Sequence, residues 1–263
     1  MENIFFVGDI HGKADRITPA IDRLIGRYDV HHVILLGDMV DDWNLTAREQ
    51  TDKFKNLCDW IGRTRAEHAD VTVLLGNHDL TYWTAENSPQ ARTLRAICPG
   101  YTRRAHHIIH PLLRSLNPQA AYGLRLPDGR SILATHAGVT RRWWESMGLS
   151  QPKDSVEAAD MLDRLFRQHF MPFGTMVGSA RGGWDKTISP SPLWADLTEL
   201  AADPLRVDGM VQIVGHTPVP SVTRSRGGKL WFCDTFSTMS DGTPLGDGSL
   251  LLLADGGLKK VQA

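Results

Sequence analysis

Residues 4–12 read Ile4-Phe5-Phe6-Val7-Gly8-Asp9-Ile10-His11-Gly12. A short unbroken apolar run of this kind reads as a buried strand. Such strands normally end in turns, whereas this one ends in glycine followed by a carboxylate and an imidazole. The arrangement recurs. Val33-Ile34-Leu35-Leu36 leads into Gly37-Asp38-Met39-Val40-Asp41, Val71-Thr72-Val73-Leu74-Leu75 into Gly76-Asn77-His78-Asp79, and Val211-Gln212-Ile213-Val214 into Gly215-His216-Thr217. A further run, Ser131-Ile132-Leu133-Ala134, ends in Thr135-His136-Ala137-Gly138. The repetition predicts that metal ligands from distant parts of the chain gather along one edge of one sheet.

Between these motifs, Ile17, Ala20, Ile21, Leu24 and Ile25 keep helical spacing up to Gly26. Residues 47–67 predict a long helix with Phe54, Leu57, Cys58 and Ile61 on one face. Strand and helix thus alternate as βαβαβ, the pattern of a parallel sheet. Open parallel sheets collect ligands beyond the carboxyl ends of their strands, where the motifs lie. Residues 81–130 break the pattern with Pro89, Pro99, Pro111, Pro118 and Pro127, and read as short helices and loops laid over the site as a substrate-covering insert. A helix is expected over 154–170, with Asp154 as N-cap and Glu157 three residues later. Strands at 211–214, 229–233 and 249–253, the last two joined through Asp241-Gly242 and Asp247-Gly248, suggest a second, partly antiparallel sheet. No linker divides the chain, so a single domain over 1–263 is expected.

Composition narrows the function. With 263 residues, 41% of them hydrophobic, the chain can bury a sizeable core. A formal net charge of −1 argues against a nucleic-acid polymer as partner. No apolar stretch approaches the roughly 20 residues of a membrane span, so no membrane partner is expected. Met1-Glu2-Asn3-Ile4 carries neither the basic flank nor the cleavage site of a signal peptide. Cys58, Cys98 and Cys233 form no CxxC pair and read as small core residues in a reducing, cytoplasmic setting.

Taken singly, Asp9, His11, Asp38, Asn77, His78, His136 and His216 read as turn and capping residues. Taken jointly they read as a metal site, because turn-making requires no histidine at four of these points. Asp9 and His11 alternate, so both can turn toward one ion with Ile10 pointing away. Asp38 supplies a second carboxylate, able to bridge two cations. Asn77 offers an amide oxygen, and His136 and His216 offer imidazoles. This mixture of hard oxygens and borderline nitrogens suits Mn²⁺, Fe²⁺ or Zn²⁺ rather than Ca²⁺, which prefers oxygen alone. Two cations roughly 3.5–4 Å apart stabilise the attacking and leaving oxygens of an in-line displacement at phosphorus.

The set GDIHG, GDMVD, GNHD, THAG and IVGHT, in this order over residues 8–217, resembles the calcineurin-like metallophosphoesterase superfamily. The GDxHG form and Arg181-Gly182 resemble its phosphoprotein phosphatase branch, which includes serine/threonine phosphatases and symmetrical diadenosine tetraphosphatases. The resemblance implies an αββα four-layer sandwich, two mixed sheets flanked by helices. It implies two divalent transition-metal ions, manganese in the first place with iron or zinc as alternatives. Asp9, His11 and Asp38 would hold one ion; Asp38, Asn77, His136 and His216 would hold the other. A water or hydroxide between the metals would be the nucleophile, His78 the general acid, Asp41 the carboxylate that orients it, and Arg181 a bidentate grip on the phosphate.

The resemblance therefore implies a hydrolase acting on phosphoric ester bonds. Its substrate would be a phosphomonoester, either a small molecule or a phosphoprotein as for serine/threonine phosphatases. A dinucleoside polyphosphate of the diadenosine tetraphosphate type is the alternative within enzymes, and a non-catalytic metal-binding scaffold the alternative outside them. One departure bears on the substrate. The branch reads GDxVDRG, whereas this chain reads Gly37-Asp38-Met39-Val40-Asp41-Asp42-Trp43, so a phosphate-binding arginine is replaced by Asp42. Arg103, Arg104, Arg141 and Arg142 are the candidates to compensate. Trp43 reads as packing ahead of a platform for an aromatic group, Trp184 as core or site wall, and His106, His107 and His110 as solvated. Asp234 reads as structural, with the option of a hydrogen bond to a ligand histidine.

Overall fold

The computed structural model describes residues 2–98 and 100–263; Met1 and Pro99, the latter among the prolines of the 81–130 stretch, lie outside the described residues. The chain runs β1 (Asn3–Val7), α1 (Ala14–Tyr28), β2 (Val30–Leu35), α2 (Ala47–Glu67), β3 (Asp70–Val73), α3 (Asn77–Trp83), α4 (Pro89–Ile97) and α5 (Arg103–Ser115). It continues through β4 (Ala121–Arg125), β5 (Ser131–Thr135), α6 (Arg141–Ser146), α7 (Ser155–Gln168), α8 (Met171–Thr175), α9 (Leu197–Ala202) and β6 (Met210–Val214). The strands β7 (Thr223–Arg224), β8 (Leu230–Phe232), β9 (Leu250–Ala254) and β10 (Gly257–Val261) complete it. Among these helices none is long and apolar enough to cross a membrane.

The strands form two five-stranded mixed sheets, β10-β9-β1-β2-β3 and β4-β5-β6-β8-β7. Residue alternation along each strand decides what each face meets. Ile4 and Phe6 of β1, Ile34 of β2 and Leu251 and Leu253 of β9 pack with Ile132 and Ala134 of β5 and Ile213 of β6, which forms the layer between the sheets. Their neighbours Phe5, Val7, Val33, Leu35, Leu250 and Leu252 face outward onto Ile17, Ile21 and Leu24 of α1 and Phe54, Leu57 and Ile61 of α2. On the second sheet, Leu133 meets Ala158 and Leu162 of α7, while Val214, Leu230 and Phe232 are covered by Leu200 of α9. The architecture is the αββα sandwich.

Helix starts follow the side chains available. At α2, Thr46 accepts from the Glu49 amide at 3.3 Å and the Glu49 carboxylate accepts from the Thr46 amide at 2.8 Å, a reciprocal cap. At α7, Asp154 accepts from the Val156 and Glu157 amides, but Glu157 accepts from Lys153 rather than from Asp154.

Two expectations are corrected. The strand at 250–254 does not extend the second sheet; it pairs antiparallel with β1 in the first, with β10 beyond it. Its apolar residues fit either sheet, and only long-range pairing chooses. The stretch 81–130 holds the expected helices but is also more than short helices and loops. It contains β4, paired with β5, and α5, whose Ala105, His106, Ile109 and Leu113 turn inward as α5 packs on α2 and α3. His106 is therefore buried, stacked on Tyr82 and His110, rather than solvated.

Candidate active site

The ligand-bearing turns follow β1, β2 and β3 in the first sheet and β5 and β6 in the second. Within each sheet these strands run parallel, so their carboxyl ends share an edge. The expectation of one sheet is thus corrected to two packed sheets whose adjoining edges both contribute. Asp9, Asp38, Asn77, His136 and His216 are buried, and His11 and His78 are half-buried. The backbone bends sharply to present them. His11 (φ 44°), Asp38 (φ 49°), Asp41 (φ 61°) and His216 (φ 63°) all occupy the left-handed region, where side chains other than glycine carry strain.

The glycines of the motifs allow close approach. A Cβ on Gly76 would lie 2.0 Å from Asp38 Oδ1, and one on Gly215 would lie 2.2 Å from Asp9 Oδ1. The carboxylates are held by backbone donors instead: the His216 amide donates to Asp9 Oδ1 at 2.8 Å, and the His78 amide donates to Asp38 Oδ1 at 2.9 Å. The other oxygen of each carboxylate points inward.

Two groups of candidate ligand atoms result, Asp9–His11–Asp38 and Asp38–His136–His216, each with its atoms within 4.8 Å of one another and with Asp38 in common. His11 Nε2 lies 3.7 Å from Asp9 Oδ2 and from Asp38 Oδ2. His136 Nδ1 donates to the Leu36 carbonyl at 2.9 Å, which aims Nε2 at Asn77 Oδ1 (2.9 Å), His216 Nδ1 (3.1 Å) and Asp38 Oδ2 (3.5 Å). Asn77 thus joins the second group.

The electrostatics follow from burial and from these contacts. Burial raises Asp9 well above the usual carboxylate value, and the nearby Asp234 and Asp38 add to it. Burial also pushes Asp38 up, but His136, His78 and His11 outweigh it and hold the group well below the usual range. Burial lowers His11 to about 4 and takes His216 well below the usual imidazole value, so both rings are neutral. Burial opposes charge on His136 as well, yet Asp38 and Asp9 raise it to about 9. The carboxylates demand positive charge at this point, as a proton or as a cation.

Beside these groups stands His78, its ring 5.2 Å from that of His11 and nearly perpendicular to it. Its Nδ1 donates to Asp41 Oδ2 at 3.1 Å. Asp41 Oδ1 accepts from the Tyr82 hydroxyl at 3.1 Å and from the Gln50 side-chain amide. Burial lowers the His78 pKa, but Asp38, Cys98 and the hydrogen bond to Asp41 prevail and raise it well above the usual value. Cys98 is therefore not only a core residue; it touches this ring.

A cavity of about 560 Å³ gathers His11, Asp38, Asp41, Asn77, His78, Arg181 and His216 on its wall, with Ile97 and Gly100 from the 81–130 stretch. Arg181 donates through its terminal nitrogen to Thr217 Oγ1 at 2.6 Å and to the His216 carbonyl at 3.2 Å, and pairs with Asp196 at 3.2 Å. Part of its fork is thus already engaged. None of Arg103, Arg104, Arg141 and Arg142 lines the cavity. The cation beside Asp42 is Lys13, whose Nζ lies 3.0 Å from Asp42 Oδ1 and whose side chain is on the wall.

Four other residues have roles or positions that the structure defines. Asp79 is fully buried and accepts from the amides of Met39, Val40 and Gly76, which clamps the 37–41 turn onto the start of α3. The signal in the sequence was a carboxylate directly after Asn77-His78. Asp234 has the structural role read for it, accepting from the amide and hydroxyl of Ser237 rather than from a ligand histidine. Trp43 is not packed but 58% exposed on the cavity wall, and Trp184 is 96% exposed.

Among solved structures, the fold is similar to the cold-active protein-tyrosine phosphatase of a psychrophilic Shewanella species, at 17% identity and a TM-score of 0.60 over 99% of this chain and 77% of that one. It is similar also to a hypothetical protein of Pyrococcus horikoshii OT3, at 10% identity and a TM-score of 0.54 over 100% of this chain and 88% of that one. No curated protein matches the chain significantly. The family model described as calcineurin-like phosphoesterase matches residues 2–220, a span that holds every turn of the cavity named above from Asp9 to His216. The chain belongs to the calcineurin-like phosphoesterases and is a hydrolase acting on phosphoric ester bonds.

Proposed function

We propose that this hydrolase cleaves a phosphomonoester at a centre of two divalent cations, held by Asp9, His11 and Asp38 and by Asp38, Asn77, His136 and His216. The residues fit such a centre. Asp9 Oδ2 and His216 Nε2 are buried without a hydrogen-bond partner, and a carboxylate oxygen left so costs about 1–3 kcal/mol or more. Asn77 Oδ1, His136 Nε2, His216 Nδ1 and Asp38 Oδ2 crowd together with few protons to share, which a cation relieves. The donor set places manganese first. Bound there, divalent cations supply Lewis acidity toward the phosphoryl oxygens and lower the pKa of an attacking water.

The observation that carries the reading is the His78–Asp41 pair beside the ligand groups. Asp41 holds the proton on Nδ1 and fixes the ring, so Nε2 carries the second proton toward the leaving oxygen. Phosphate needs positive charge from more than one side. Arg181 offers it from the 3₁₀ turn at Ser179–Arg181, and Lys13 from the turn before α1. A cavity of about 560 Å³ lies in the range that takes a whole small organic ligand, roughly 300–1,000 Å³. Ile97 and Gly100 close one side of it, which suits a small ester better than a protein tail.

The test is turnover with Mn²⁺ on p-nitrophenyl phosphate, a phosphopeptide and diadenosine tetraphosphate, for the wild type and His78→Ala. The variant is expected to keep its metal and to lose on the order of 10²–10⁴ in kcat on the monoester. Full activity in His78→Ala would remove the acid from this mechanism. Faster cleavage of diadenosine tetraphosphate than of either monoester would move the substrate to the anhydrides.

A further inference from the structure

Trp43 lines the cavity and has no part in the reaction above. Four large apolar side chains are exposed among the described residues, namely Trp43, Trp184, Met239 and Leu245. Two of them, Trp43 and Leu245, line the metal-side cavity. Trp184 lines a second cavity of about 300 Å³ that shares Ile97, Arg181 and Trp194 with the first. Three of these four side chains thus line two cavities that share a wall, the kind of exposed apolar clustering that marks a ligand-binding groove.

The indole of Trp43 is fixed in place. Its Nε1–H donates to the Thr238 carbonyl at 2.8 Å, and the adjacent Asn44 side-chain amide donates to the Ser240 carbonyl at 2.9 Å. The Trp43 amide donates to Asp42 Oδ1 at 2.9 Å, the same oxygen that accepts from Lys13. The polar edge of the ring is satisfied and anchored, and the side chain stays 58% exposed on the cavity wall. A side chain ordered before a ligand arrives loses little entropy when one binds.

The position of the ring selects what it can touch. Trp43 follows Asp41 by two residues, so their Cα atoms are at most about 7.6 Å apart. Asp41 in turn holds His78, the acid for the leaving oxygen. Trp43 and His78 line the same cavity, which places the indole on the side of the group attached to that oxygen. We infer that Trp43 is the stacking platform for a planar leaving group, and that the preferred substrates are aryl phosphates, in which an aromatic ring carries the ester oxygen. The inference rests on the phosphomonoesterase reading. In the reaction the P–O(aryl) bond breaks, water supplies the oxygen that remains on phosphorus, and the His78 proton goes to the phenolic oxygen. The products are a phenol and inorganic phosphate.

The test compares kcat/KM for phenyl phosphate and glycerol 2-phosphate in the Mn²⁺-loaded wild type, Trp43→Leu and Trp43→Phe. The phenyl-to-glycerol ratio is expected to fall on the order of 10-fold in Trp43→Leu, through KM, and to be largely kept in Trp43→Phe. An unchanged ratio in Trp43→Leu overturns the platform. Calorimetric binding of phenylphosphonate against methylphosphonate reads the same contact without turnover. A phenyl preference that Trp43→Leu abolishes supports it, and equal binding of the two by the wild type overturns it. A wild type that hydrolyses neither ester overturns the phosphomonoesterase reading instead.

Discussion

His78 illustrates how a single side chain acquires a role from its neighbours. Burial alone would strip its proton, but Asp38, Cys98 and Asp41 keep the ring charged above the usual imidazole range. The acid role proposed for His78 requires the protonated ring, so kcat should fall as pH rises through the raised pKa. Asp41→Asn retains an oxygen that can accept from Nδ1 but removes a charge. Burial then weighs more, the imidazole pKa drops, and the alkaline limb of the kcat–pH profile should move to lower pH. A limb that stays where it is would show that Asp41 does not set the state of His78. Much at this scale was legible in the sequence, because a glycine followed by Asp, Asn or His after an apolar run has few structural reasons to recur. Asp79 was not, since a buried clamp and a surface cap are spelled with the same residue. Lys13 was not either, because nothing in the chain order places it against Asp42.

At the scale of the element, the site is made by where strands stop. The turn after each ligand-bearing strand brings its donor back over the edge, and the left-handed φ of His11, Asp38, Asp41 and His216 is the local cost of that bend. Gly215 shows how little room the turns leave. A methyl group there would fall 2.2 Å from Asp9 Oδ1, and the contact is with a carboxylate held by the His216 amide on the same turn. Gly215→Ala should therefore displace Asp9 and weaken metal binding 10-fold or more, on the order seen when the support of a ligand is lost, while near-native circular dichroism reports an intact fold. Unchanged metal affinity would mean that Asp9 is not a ligand. Helix α2 and the N-cap at Asp154 could be read from local spacing and capping chemistry. The pairing of β9 with β1 could not, since its four leucines suit any buried strand and the partner is chosen by contacts some 250 positions apart in the chain.

For the molecule as a whole, the two sheets do one thing together. Each supplies parallel strands to a common edge, and the layer of Ile4, Phe6, Ile34, Ile132 and Ile213 between them fixes the distance between the donors. Neither sheet holds the whole of the proposed ligand set: the first gives Asp9, His11, Asp38 and Asn77, the second His136 and His216. The αββα class followed from alternating strands and helices and from the family resemblance, whereas the division of ligands between sheets required the packing itself. A centre built this way ties the sheets together, so a bound cation stabilises the folded chain by about 2.7 kcal/mol at a hundredfold excess over Kd. The most direct measurement is calorimetric titration of the metal-stripped protein with Mn²⁺. Two equivalents per chain are expected, with both lost in Asp38→Ala, because that carboxylate belongs to both ligand groups. A wild-type chain that binds no Mn²⁺, or an Asp38→Ala variant that still binds two, would contradict the shared dimetal centre.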